Sequence, residues 1–130
     1  MQVYYFSRSG RSKTVAEQLA KRGHTTVRLI DDHHDWSGKA NYLKAAALAV
    51  SGKGLEADYE QPDPADPQVF VVFPLWAGTL PPAVRTFADD IGRPRLTVVV
   101  TSLWSKLRDR EGFKQIIDLV GKDIHLPDTI

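Results

Sequence analysis

Four short stretches hold residue types that do chemistry when a fold brings them together. The first is Ser7-Arg8-Ser9-Gly10-Arg11-Ser12-Lys13-Thr14. Its hydroxyls, central glycine and three cations suit a phosphate monoester, whose dianion needs hydrogen-bond donors and positive charge. Free backbone amides at a helix start supply donors without a metal, and Gly10 lets the backbone approach closely. This is not a P-loop, which frames four residues between two glycines before Lys-Ser/Thr. The same residues also read as a polar strand-to-helix turn with a capping serine. The second stretch, Pro74-Leu75-Trp76-Ala77-Gly78-Thr79-Leu80, ends an apolar run with a tryptophan. That ring is a candidate platform for a flat aromatic ligand, or else packing over the next helix. In the third, Ser102-Leu103-Trp104-Ser105-Lys106-Leu107-Arg108-Asp109-Arg110, a second tryptophan appears, and no glycine comes before Gly112. The fourth, Asp31-Asp32-His33-His34-Asp35, carries metal-ligand types. Adjacent histidines in one loop rarely converge on an ion without a third fixed partner, so a solvated turn is expected there. No nucleophile–histidine–acid set or carboxylate pair can be argued.

The elements that must position these stretches follow from hydrophobic pattern. Residues 2–6 are aromatic and β-branched and read as a strand. Residues 12–22 place Val15, Ala16, Leu19 and Ala20 at helical spacing, with Gly23 as the stop. A second strand covers 25–30. A second helix covers 39–51, with Tyr42, Leu43, Ala46, Ala47 and Val50 as its inner face. Residues 68–73 form a continuous apolar strand. The third helix spans 81–91, capped by Thr79, with Val84, Phe87, Ala88 and Ile91 inward. Residues 96–101 form a fourth strand. Phe113, Ile116, Ile117 and Val120 predict a fourth helix over 111–120, and 123–126 a short fifth strand. Strand–helix alternation of this kind means parallel strands joined by crossovers, with helices on both faces. Ligands in such sheets bind beyond the carboxyl ends of the strands. The loops at 7–12, 74–80 and 102–110 all leave those ends.

Composition removes whole classes of function. The 130 residues are 42% hydrophobic and 25% charged, which fits a single α/β domain of ordinary size. Seventeen basic and sixteen acidic side chains leave a net charge of +1, giving no global field for nucleic acid or membrane. With no cysteine there is no disulfide framework, no cysteine-ligated metal and no thiolate catalysis. Apolar runs are too short to span a bilayer, and no signal peptide is visible, so a cytoplasmic location is expected. The stretch 53–67 holds five acids and three prolines and reads as a surface connection.

The residues from Tyr4 to Ala20 resemble the phosphate-binding signature of flavodoxins: aromatic, Ser, any, Ser/Thr, Gly, Asn, Thr, and later Val-Ala. Arg11 stands where that signature has Asn, and Ser12 where it has Thr. Pro74 to Phe87 is similar to the family's run of Pro, any, Trp, small, Gly, then Pro-Pro, any, Val, Arg, any, Phe. Trp36-Ser37-Gly38-Lys39, followed by Tyr42-Leu43-Lys44-Ala45-Ala46, resembles one branch of the family. The likeness runs over residues 3–101. It implies a flavodoxin-like three-layer sandwich, sheet order 2-1-3-4-5, with a short or missing C-terminal element. FMN is the implied cofactor, with Ser7, Arg8, Ser9, Gly10, Arg11 and Ser12 around its phosphate. Pro74, Leu75, Trp76, Ala77, Gly78, Ser102, Leu103 and Trp104 would surround its ring. Gly78 would allow the backbone flip that the family uses at flavin N5.

The implied function is redox: electron transfer to an unidentified partner, or reduction of a small quinone-type acceptor by an FMN-dependent oxidoreductase. The alternative is a flavodoxin-like domain without flavin, acting as a binding or regulatory module. A glycine-poor third loop favours that alternative, because Leu103 and Trp104 are bulky enough to fill a ring slot. With four helices, apolar surface beside the last strand needs cover. A homodimer would supply it, as would folding back of residues 123–130. Two other occupants of this architecture are excluded. Receiver domains need an aspartate where this chain has Phe73-Pro74, and low-molecular-weight tyrosine phosphatases need a cysteine in the first loop.

Overall fold

A parallel sheet whose central strand is apolar at every position must be covered on both faces, and this chain covers it unequally. The structure, a computed structural model, describes residues 1–36, 38–52 and 54–128, with the side chains of Lys39 and Tyr42 outside the described set. In chain order the elements are β1 (Gln2–Tyr5), α1 (Arg11–Arg22), β2 (Val27–Leu29), α2 (Lys39–Val50) and β3 (Val69–Pro74). Next come α3 (Pro82–Ile91), a single 3-10 turn at Arg93–Arg95, β4 (Leu96–Ser102) and β5 (Gln115–Val120). The sheet order is β2-β1-β3-β4-β5, and every pairing is parallel. This is the expected 2-1-3-4-5 arrangement.

Alternation along β3 divides the core. Val71 and Phe73 point to one face, where Val84, Phe87 and Ala88 of α3 and Ala45 and Ala49 of α2 cover them. Phe70 and Val72 point to the other, against Val15, Ala16, Leu19 and Ala20 of α1. Tyr4 packs on Phe87 with ring centroids 4.7 Å apart, and its hydroxyl donates to the Glu60 carbonyl at 2.6 Å.

The last third departs from the helical pattern. No helix forms over 111–120; residues 115–120 are β5, paired with β4 from Thr97↔Gln115 to Ser102↔Val120. Positions 113, 116, 117 and 120 fit helical spacing, but they also fit a strand once one edge of β4 is open. Ile116 then joins the α2–α3 face, while Ile117 and Leu119 join the α1 face. The parallel β4–β5 link is therefore an irregular connection over 103–114, close to the minimum of about a dozen residues for such a crossover. Residues 123–126 form no strand. Leu126 is buried against the α1 face, Ile124 is partly so, and Arg22 donates to the carbonyls of Leu126 and Pro127. Among the described residues no helix follows β5, and the chain itself covers part of the surface that lacks one; Thr129 and Ile130 lie outside them.

Two smaller expectations are corrected. On α2 the buried residues are Ala45 and Ala49, with Leu48 partly buried, whereas Leu43 and Val50 are exposed. An alanine-rich helix is apolar nearly all round, so its pattern does not choose a face; the Tyr42 side chain lies outside the described set. Thr79 does not cap α3, whose N-cap is Pro81. It closes a turn with Trp76 instead. No described helix is long and apolar enough to cross a membrane.

Candidate functional site

Beyond the carboxyl ends of β1, β3 and β4 lies a cavity of about 570 Å³, inside the range of ~300–1,000 Å³ typical of small-ligand sites. Its walls come from the three loops singled out in the sequence, with Ala45 and Ala46 of α2 and Thr101 of β4 added.

The first wall is the β1–α1 loop. Ser7 accepts the Gly10 amide through Oγ at 2.9 Å, forming the turn that starts α1. Gly10 is the N-cap at φ 92°, a left-handed conformation that glycine adopts without penalty. No side chain caps the helix, and no acid stands in its first turn. The positive end of the helix dipole is therefore not offset by a side chain of the helix's own first turn. Arg8, Ser9 and Arg11 line the cavity; Ser7, Gly10 and Ser12 do not. Ser12 is buried and its hydroxyl shares a 2.9 Å hydrogen bond with Thr101 on β4. Arg8 donates to the Trp36 carbonyl at 3.3 Å, and Arg11 to the Gly121 carbonyl.

The second wall is the β3–α3 loop, where Pro74, Leu75, Trp76, Ala77 and Gly78 all line the cavity. Trp76 and Thr79 exchange two backbone hydrogen bonds of 3.0 Å each. Ala77 and Gly78 between them have φ of 51° and 80°, the mirror-image turn that demands positive φ at both positions. The Gly78 carbonyl accepts the Arg108 amide at 3.0 Å, which ties this turn to the third loop. Trp76 is not the exposed platform expected. It is 5% exposed, and its ring packs edge-on against Phe6 at 5.3 Å and Trp36 at 5.0 Å. Three aromatic rings from three loops converge there, which a linear pattern does not reveal. Among the described residues the buried Trp76 Nε1 has no hydrogen-bond partner.

The third wall is the β4–β5 connection, contributing Ser102, Leu103, Trp104, Ser105 and Arg108. Leu103 is 48% exposed and Trp104 82% exposed, so neither fills the cavity. Their segment turns outward on a Ser102 hydroxyl that bonds the Ser105 carbonyl. Beyond it, Leu107 anchors in the core. Asp118 on β5 accepts the Leu107 amide at 3.1 Å and Arg110 at 2.8 Å. Asp109 accepts Arg93 in a two-pronged pair at 2.7 and 2.8 Å, with Arg85 at 3.5 Å. The Arg93 hydrogen bonds hold the Asp109 carboxyl below the ordinary carboxylate range against partial burial.

The acidic, histidine-bearing loop packs its side chains onto its own backbone and onto Trp36. Buried Asp32 accepts the Trp36 indole N–H at 2.7 Å, and His34 stacks on Trp36. His33 bonds Asp58 and Asp31. No group of three metal-ligand side chains gathers among the described residues. What sequence reasoning missed is Trp36 as a wall-supporting ring and Arg108 as a cavity residue; both were in stretches already marked, without a signal for their direction.

No protein-family model matches the chain, and no curated protein matches it. Among solved structures it is similar to a flavoprotein in complex with FMN from Lactobacillus acidophilus NCFM, with a TM-score of 0.65. The match covers 94% of this chain and 91% of that one at 15% identity. The fold is flavodoxin-like. At that identity the likeness carries the architecture and leaves the chemistry to the residues themselves.

Proposed function

We propose that this chain binds FMN in the cavity and acts as a redox protein, passing electrons to a partner or to a small quinone-type acceptor. The observation that carries this reading is the open cavity itself: an uncapped helix start with Arg8, Ser9 and Arg11 at one wall, and Leu103 and Trp104 turned out of the slot. Arg8, Ser9, Arg11 and the first-turn amides of α1 would hold the phosphate. Residues 74–78 and 102–104 would flank the ring. Bound FMN supplies the electron chemistry; the protein supplies position, shielding and charge. The flavoprotein of the same fold that was solved with FMN supports the choice of ligand.

Ser9 gives the test. Ser9→Glu sets a carboxylate among the phosphate donors, and like-charge juxtaposition should weaken FMN binding about tenfold or more. Riboflavin, which lacks the phosphate, should bind both forms alike. Equal losses for both ligands would overturn the phosphate assignment. The Ser7 and Ser12 hydroxyls are already engaged within the protein, which leaves the phosphate to Arg8, Ser9, Arg11 and the backbone amides. Phosphate or sulfate binding with no flavin binding at all would instead make the chain a flavin-free binding module.

A further inference from the structure

We infer that the mouth of this cavity recognises a planar aromatic anion, a quinone that carries a sulfonate or carboxylate group, through Arg108 and Trp104. Under the function proposed above, on which that role rests, this quinone would take two electrons from reduced flavin and two protons to become the hydroquinone.

Charge carries the first step. Three arginines, Arg8, Arg11 and Arg108, line the cavity, and no acidic residue lines it among those described. A concave, partly apolar wall of one sign concentrates ligands of the other sign. The neighbouring arginines are neutralised: Arg85 and Arg93 face Asp109, and Arg110 pairs with Asp118. Arg108 lies in the same loop, and no described carboxylate pairs with it. Its guanidinium instead rests on Gly78, where a Cβ would come within 2.9 Å of Nε. A side chain at position 78 would push the guanidinium aside and would be strained at φ 80°.

Arg108 enters the cavity from the β4–β5 connection and lies over the Gly78 turn, whereas Arg8 and Arg11 enter from the β1–α1 loop and donate to the Trp36 and Gly121 carbonyls. Next to Arg108 on the same loop, Trp104 offers a ring that is 82% exposed. An exposed flat ring and a planar guanidinium with no carboxylate partner among the described residues, both lining one cavity, suit a ligand that stacks and carries a negative group.

The test uses 1,4-naphthoquinone-2-sulfonate against uncharged 1,4-naphthoquinone, each titrated calorimetrically into FMN-loaded and flavin-free protein. The sulfonate should bind about tenfold more tightly, the worth of one charge-assisted hydrogen bond. Arg108→Gln should abolish that preference while keeping FMN affinity, and Arg110→Gln should keep both. Trp104→Ala should weaken both quinones equally. Equal binding of the two quinones by the wild-type protein overturns the inference. So does a preference that survives Arg108→Gln, or an Arg108→Gln variant that loses FMN instead, since Arg108 would then serve the cofactor. If FMN fails to bind but the flavin-free protein still shows the Arg108-dependent preference, the anion site stands and the redox role falls.

Discussion

Asp32 is a buried carboxylate whose Oδ2 accepts the Trp36 indole N–H, and Trp36 in turn supports Trp76 at the cavity wall. Removing the acceptor leaves a buried donor unsatisfied, at a cost of about 1–3 kcal/mol. Asp32→Ala should therefore lower stability by that amount in urea unfolding and loosen the wall on which Trp76 rests. His33, one residue on, behaves differently because it is exposed. Its hydrogen bond to Asp58, helped by the charge of Asp31, raises its pKa above the ordinary 6.5. Protonation is thus favoured by the fold. The contribution is complete below the unfolded value and is lost as pH rises through the raised folded value. An NMR titration should place His33 above 6.5, and Asp58→Asn should bring it back down; a pKa that does not move in the variant would refute the pairing.

The β4–β5 connection shows what reading elements from pattern misses. Helical spacing at 113, 116, 117 and 120 is genuine, yet a strand won because it pairs along the open edge of β4, satisfying the backbone groups there, and still buries Leu119. That choice depends on an open sheet edge, a tertiary fact. The connection then holds its shape through Leu107 and two aspartates. Leu107 is fully buried, so Leu107→Ala should cost about 2–5 kcal/mol. Asp109 sits below the ordinary carboxylate value because of Arg93 and, less, Arg85. Its contribution is complete above that ordinary value and disappears as pH falls through the depressed one. Asp109→Asn should flatten the acid limb of the stability profile, read by thermal melts between neutral and strongly acid pH. An unchanged limb would mean the Arg93 pair holds nothing.

For the molecule as a whole, the sequence disclosed the architecture and the three loops, because strand–helix alternation and apolar runs are local signals. Strand order came with the flavodoxin resemblance of Tyr4–Ala20 and Pro74–Phe87. Exposure could not be read in the same way: Trp76 and Trp104 look alike in the chain, yet one is a buried wall and the other stands in solvent. Nor does the pattern show that Leu126 folds onto the α1 face in place of a helix. Leu126→Ala should cost about 2 kcal/mol and increase self-association in light scattering, since it uncovers an apolar face. Unchanged stability would show that this cover contributes little. The most direct measurement is an FMN titration of purified, flavin-stripped protein, followed by flavin fluorescence and the visible absorption bands. Saturable quenching with shifted bands is the expected result, the ring lying between the 74–78 and 102–104 walls. Unquenched fluorescence and an unshifted spectrum at high FMN would show that the cavity does not hold the flavin, and that only the fold is shared.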